Sequence, residues 1–152
     1  MRRIIYRSIA APGLDRAEMF RLLYQARIAN EARGLSGILL RAEDHLLQVL
    51  EGPTWKLCAA FDTIRRDIRH TSVAVIDERA IGQMTFPDWP MRYFDDRDVG
   101  KALRTMSTAL GGEVPAVIEE IVRDFFVQAF AAHSCVSPSP SSAVRPSSPT
   151  LC

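Results

Sequence analysis

The segment Leu35-Ser36-Gly37-Ile38-Leu39-Leu40-Arg41 constrains this chain more than any other. It reads as a strand that is apolar on both of its alternating faces. Such a strand has to be covered on two sides, so the sheet that holds it lies between layers. Glu43-Asp44 forms a turn after it, and Leu46 to Leu50 reads as a further strand, so the two make a hairpin.

The neighbouring elements supply the cover. Arg3 to Ile9 reads as a first strand, with Ile4, Tyr6 and Ser8 on one face and Arg3, Ile5, Arg7 and Ile9 on the other. Asp15 and Glu18 form a capping pair for a helix from Arg16 to Glu31, striped with Met19, Leu22, Leu23 and Ala26 and ended by Gly34. Gly52-Pro53 opens a second helix, with an expected buried stripe of Leu57, Phe61, Ile64 and Ile68. Ser72 to Ile76 and Met91 to Phe94 read as the fourth and fifth strands. The order βαββαββ predicts an α+β fold, a ferredoxin-like sheet with two helices on one face. Two more helices are expected, Asp98 to Leu110 and Val114 to Ala131. The last carries Val117, Ile118, Ile121, Val122, Phe125 and Phe126, and its natural seat is the other face of the sheet; the alternative is a homodimer interface.

The pattern divides the chain into a sheet domain at 1–96, a helical extension at 97–132 and a Ser/Pro-rich tail at 133–152. The 152 residues are 47% hydrophobic, with no run long enough to span a bilayer and no signal-peptide core, which reads as cytoplasmic. Three scattered cysteines, Cys58, Cys135 and Cys152, form neither a disulfide framework nor a metal site. A net charge of +1 gives no case for a nucleic-acid binder, so any local basic patch must carry its own.

Three polar residues interrupt the apolar pattern on the inner side. Tyr6 shares a strand face with Ile4, Gln48 lies between Leu46 and Leu50, and Asn30 continues the stripe of the first helix. A buried amide without a partner costs roughly 1–3 kcal/mol, so each of these groups needs one. Singly, each has an ordinary role: a packed tyrosine, a helix cap, a bond to a loop. Together in one layer they could converge on a polar ligand.

At these residues the sequence resembles BLUF domains, sensors of blue light using FAD. The resemblance runs in order through Ile5-Tyr6-Arg7-Ser8, Ala26-Arg27-Ile28-Ala29-Asn30, Gly34 to Leu40, Gln48 to Pro53, Ile64 to His70 and Phe86 to Met91. It implies a flavin between the two helices, FAD by the family's definition, with FMN and riboflavin as alternatives. It implies that Tyr6 is the photoactive tyrosine, that Gln48 stands between it and the ring, and that Asn30 bonds the ring's polar edge. It places Leu22 and Ile64 beside the ring, Arg69 and His70 near the ribityl and phosphate groups, and Trp89 and Met91 as a switch pair. Arg65 and Arg66 fall in the same region or form a solvated helix face. Light then drives electron and proton transfer from Tyr6 and a rearrangement of Gln48, read out through the fifth strand and the C-terminal helices by a separate partner protein.

The sequence departs from the family pattern at Ala29, at His45-Leu46-Leu47 and at Gly82-Gln83-Met84-Thr85. The competing reading is a ferredoxin-like ligand-binding or regulatory module that senses no light. A hydrolase of acylphosphatase type is disfavoured, because the loop Ala10-Ala11-Pro12-Gly13 lacks the basic residue a phosphate loop needs. No Ser/His/Asp or Cys/His constellation is visible, so an enzyme is not expected.

Overall fold

A computed structural model describes residues 1–134. The strands are β1 (Arg2–Ala10), β2 (Ser36–Ala42), β3 (His45–Gly52), β4 (His70–Ala80) and β5 (Arg92–Asp95). The helices are α1 (Arg16–Arg33), α2 (Thr54–Ile64), α3 (Val99–Leu110) and α4 (Ala116–Ser134). The strands form one mixed sheet in the order β4-β1-β3-β2-β5, antiparallel except for the β2–β5 pair. This is the ferredoxin-like arrangement with a parallel fifth strand added beside β2.

The two-faced strand explains the layers. Ile38, Leu40, Leu47, Val49 and Ile5 point to one side, where Leu103, Met106, Ile118, Val122 and Phe126 of α3 and α4 cover them. Ile4, Tyr6 and Leu50 point to the other, against Leu57, Ala60 and Phe61 of α2. Leu39 and Leu46 join the same inner side beside Met19 of α1. The C-terminal helices therefore occupy the far face of the sheet.

Local signals set the helix ends. The Asp15 carboxylate accepts from the Glu18 amide at the start of α1, and Gly34 closes it in the left-handed region at φ 63°. Gly37 packs so closely that a Cβ there would lie 2.4 Å from the Val49 carbonyl oxygen, so only glycine fits this strand crossing.

Four sequence expectations change. Ile68 is 88% exposed, because α2 stops at Ile64 and the chain turns before reaching it. The Asp67 carboxylate accepts from the Arg69 amide, a short side-chain turn that competes with further helix. β4 is far longer than Ser72–Ile76, and as an edge strand with mostly exposed residues it carries little apolar period to read. Val117 is exposed at the outer side of α4 rather than in its buried stripe. Finally, α4 runs to Ser134, so the expected tail at 133–152 begins within a helix. The rest of that segment, with Cys135 and Cys152, lies outside the described residues.

One buried ion pair was not anticipated. Glu51 is 0% exposed and accepts from Arg3 Nε at 2.7 Å, its direct partner across β1 and β3. Its other oxygen accepts from the Thr85 and Phe86 amides, which fastens the loop leading to β5. Removing one member of such a pair leaves a buried charge unmet. Glu51→Ala is expected to lower stability by roughly 3–5 kcal/mol. A denaturant titration that shows a loss below about 1 kcal/mol contradicts this account.

Candidate functional site

The antiparallel register of β1 and β3 sets Tyr6 directly opposite Gln48. Paired residues project to the same side of a sheet, so both side chains enter the layer beneath α1 and α2. The Tyr6 hydroxyl donates to Gln48 Oε1. Gln48 Nε2 in turn lies 3.9 Å from Met91 Sδ, in the loop that enters β5. Tyr6 is 3% exposed and Gln48 7%. The three side chains form a continuous polar thread from the sheet's interior to its edge strand.

Asn30 comes from α1. Gly34 takes the C-cap, so the Asn30 side chain is not consumed by capping. It is 5% exposed, and its Nδ2 donates to the Pro90 carbonyl at 2.7 Å. Two of the interrupting amides thus bond to the chain segment Pro90-Met91 from opposite elements.

These residues line a cleft of about 270 Å³ between α1, α2 and the sheet. Leu22 and Ala26 of α1, Ala60 and Ile64 of α2, and Leu39, Leu46 and Met91 supply apolar wall. Arg33, Asp67, Arg69 and His70 are the charged and titratable groups in its lining. Arg69 grips Asp67 through Nη2 at 2.6 Å and reaches Gln25 of α1 at 3.0 Å. Arg65 and Arg66 are exposed and are not part of the lining. Trp89 is not in the lining either. It stacks on Phe86 at 5.2 Å and packs into the core shared with α3 and α4, while Met91 faces the cleft.

The local electrostatics follow from burial and partners. Burial pushes the Tyr6 phenol far above its ordinary range, and the Asp67 charge adds to the shift. Tyr6 therefore keeps its proton throughout the neutral range. Burial lowers the affinity of His70 for a proton. Its ring Nε2 lies 3.0 Å from the Ile64 carbonyl and donates to it, so Nδ1 is an acceptor. That Nδ1 is buried with no hydrogen-bond partner.

The hydrogen bond from Arg69 holds the Asp67 carboxyl below its ordinary value of 3.8, against burial. A depressed folded-state pKa contributes stability that is present above 3.8 and lost as pH falls through the folded value. Asp67→Asn is therefore expected to reduce the acid-induced loss of stability, measured as the denaturation midpoint between neutral and acid pH. An unchanged acid limb contradicts the role given to this pair.

The residues present fit a flavin. The apolar slot suits a flat aromatic ring system, and Asn30 and Gln48 supply amides for its polar edge. The unmet His70 Nδ1 is an acceptor for a hydroxyl, and Arg33 and Arg69 suit a phosphate. Among the described residues no cluster of His, Cys, Asp and Glu could hold a metal ion. No described helix is long and apolar enough to cross a membrane.

Sequence reasoning missed Arg33, Gln25 and Asp67 at this site. The first two continue the α1 stripe next to Leu22 and Ala26 at helical spacing, a signal that was available. Asp67 gave none, since its place depends on where α2 ends.

Comparison with known proteins gives a consistent picture. Among solved structures, BlrB, a BLUF protein in its dark state, is 28% identical, with a TM-score of 0.66 over 84% of this chain and 96% of that one. Klebsiella pneumoniae BlrP1, solved with FMN and cyclic diGMP, is 26% identical, with a TM-score of 0.74 over 90% of this chain but only 36% of that one. The photo-activated state of BlsA shares the fold at 20% identity, with a TM-score of 0.65 over 83% of this chain and 94% of that one. A comparison with curated proteins returns no match. The model of one family, sensors of blue light using FAD, matches residues 1–92. With more than half of its length matched, and with a cleft whose residues fit the family's cofactor, the chain belongs to the BLUF family of flavin-dependent blue-light sensors.

Proposed function

We propose that this chain is a light-driven hydrogen-bond switch in which Tyr6 and Gln48 respond to an FAD held in the α1–α2 cleft and Met91 passes the change to β5. The observation that carries this reading is the thread Tyr6 to Gln48 to Met91 along one wall of that cleft. When bound, the flavin supplies absorption of blue light and an oxidising excited state. Tyr6, buried and fully protonated, holds its phenolic proton on Oη, pointed at Gln48 Oε1. Oxidation makes a phenol a far stronger acid, so this proton moves toward Gln48. As the electron returned and Tyr6 Oη recovered a proton from Gln48, the amide would be left rotated, or tautomerised by gaining a proton at Oε1 and losing one from Nε2, which would break the contact between Nε2 and Met91. Asn30 holds the Pro90 carbonyl beside that contact and so sets the resting position of the segment.

The output follows from the connection between layers. Met91 faces the cleft, and Trp89, two residues before it, packs into the α3–α4 core. A shift of this segment therefore acts on both faces of the sheet at once, a two-state element biased by light. BlrP1 and a bacterial light-regulated adenylyl cyclase are much longer than the part this chain matches, which spans 36% and 35% of them. A separate partner protein is the proposed reader of the C-terminal helices.

The guanidinium groups of Arg69 and Arg33 in the lining favour a phosphate-bearing flavin, FAD or FMN, over riboflavin. Reconstitution tests this. The purified chain, mixed with each of the three and passed through a desalting column, is expected to retain FAD or FMN at one per chain. Failure to retain any of the three overturns the reading. Trp89→Ala is expected to leave the flavin absorption nearly unchanged while weakening light-induced changes in α3 and α4, followed by hydrogen exchange. Full-sized changes in those helices would rule out Trp89 as a relay.

A further inference from the structure

A second cavity, of about 350 Å³, lies on the opposite face of the sheet between β5 and α3. Its walls are Arg92, Lys101, Arg104, Thr105 and Thr108. The helical spacing 101, 104, 105, 108 puts four of them on one stripe of α3, beside the stripe of Ala102, Leu103 and Met106 that is buried in the core. Arg92 completes the set from β5. It pairs with Ile38 in the sheet register and so projects to the α3 side.

The charges of this cavity are not balanced. Lys101 Nζ meets Asp96 at 2.8 Å, and Asp98 is occupied as the cap of α3. Arg92 has no ion pair among the described residues and stacks over the Trp89 ring at 4.7 Å. Arg104 makes no direct ion pair or hydrogen bond among the described residues, but its Nη1 lies near the Asp98 carboxylate, the two flanking the space beside Gly100. Thr105 already donates its hydroxyl to the Lys101 carbonyl, whereas the Thr108 hydroxyl has no partner among the described residues. Three cationic groups, Arg92, Lys101 and Arg104, thus face one recess against the two nearby carboxylates Asp96 and Asp98, with the Thr108 hydroxyl beside them. Guanidinium groups match the geometry of phosphate oxygens.

We propose that this cavity binds a small phosphate-class oxyanion, as the free ion or as an ester, through Arg92, Arg104 and Thr108. The position of Arg92 makes the site a regulatory one. It follows Met91 directly in the chain and lies on Trp89, so an anion that holds Arg92 also restrains the segment that carries the light signal. This second clause rests on the switch reading above, and the binding clause does not. By linkage, whatever affinity change light produces at this site, the anion returns as a change in the population of the lit state.

The test is a calorimetric titration of the full chain with inorganic phosphate in the dark at fixed ionic strength, with chloride as the comparison ion. Saturable binding to one site is expected. Arg104→Gln and Arg92→Gln are each expected to weaken it about ten-fold, as the loss of a charge-assisted contact implies. Arg123→Gln, on α4 and paired with Glu119, removes the same charge elsewhere and is expected to leave binding unchanged. Heat that fails to saturate, that chloride reproduces, or that Arg104→Gln leaves intact overturns the site. Tighter binding of glycerol phosphate than of inorganic phosphate assigns an ester as the ligand, and the reverse order assigns the free ion. Repeating the titration under blue light is expected to shift the affinity about five-fold. An unchanged affinity in a sample whose flavin band does shift overturns the coupling. A sample whose flavin band does not shift counts against the light switch instead, while the dark titration still decides the site.

Discussion

Tyr6→Phe is expected to fold, to retain flavin and to lose the light-induced red shift completely. The ring stays, and with it the packing against Phe61 at a centroid distance of 5.2 Å. Only the hydroxyl is lost, and with it one hydrogen bond to Gln48, a stability change of about 1 kcal/mol. Neither of the other two phenols lines the cleft, and Tyr24 is exposed. Tyr93 is set across β2 from Gln48, and burial, with the Asp95 charge adding to it, pushes its pKa up to about 12. The check is a lit-minus-dark difference spectrum of the flavin-loaded variant. Normal cycling there removes Tyr6 from the mechanism.

The second large effect is at Gln48. Gln48→Leu preserves volume within the apolar neighbourhood of Leu46 and Leu50 but removes both ends of the thread, the acceptor for Tyr6 and the donor to Met91. The Tyr6 hydroxyl is then left buried without its partner, at a cost of about 1–3 kcal/mol unless it finds another. The flavin is expected to remain bound, held by the walls and by Asn30, and to bleach or relax without a red-shifted product. A reversible red-shifted product in this variant would show that Gln48 is not the moving part. The two variants would separate the proposed roles, the proton assigned to Tyr6 and the rearrangement assigned to Gln48.

Much of this is legible in the sequence. Alternation along Leu35–Arg41 demanded two covering layers, and α3 and α4 provide the second. Asp15 marked the start of α1 and Gly34 its end. Tyr6, Gln48 and Asn30 stood out because polar groups sat in apolar positions, and they do line one cleft with Leu22, Ile64, Arg69 and His70. Other features depend on tertiary pairing that a linear pattern does not encode. Extending the α2 stripe to Ile68 failed because a side-chain turn at Asp67 ends the helix, a local competition that periodicity does not register. The Arg3–Glu51 pair needed the β1–β3 register, since Glu51 alone reads as a surface residue at a strand end. The separation of Met91 from Trp89, one to each side of the sheet, depends on how the loop from Phe86 enters β5.

The layout also explains why one residue thread can reach distant helices. The sheet is a single layer in common to both cores, and β5 is its edge beside β2. Edge strands have one pairing partner and shift more cheaply than central ones. Glu51 fastens the amides of Thr85 and Phe86, so under the proposed switch the segment after them is the part left to move.

The most direct test is an absorption spectrum of the flavin-loaded chain, recorded in the dark and again after blue light. The account predicts a yellow protein whose flavin band moves slightly to the red and returns in the dark. A bound flavin that stays unshifted under illumination, or is permanently reduced, would contradict the claim that Tyr6 and Gln48 form a light-driven switch.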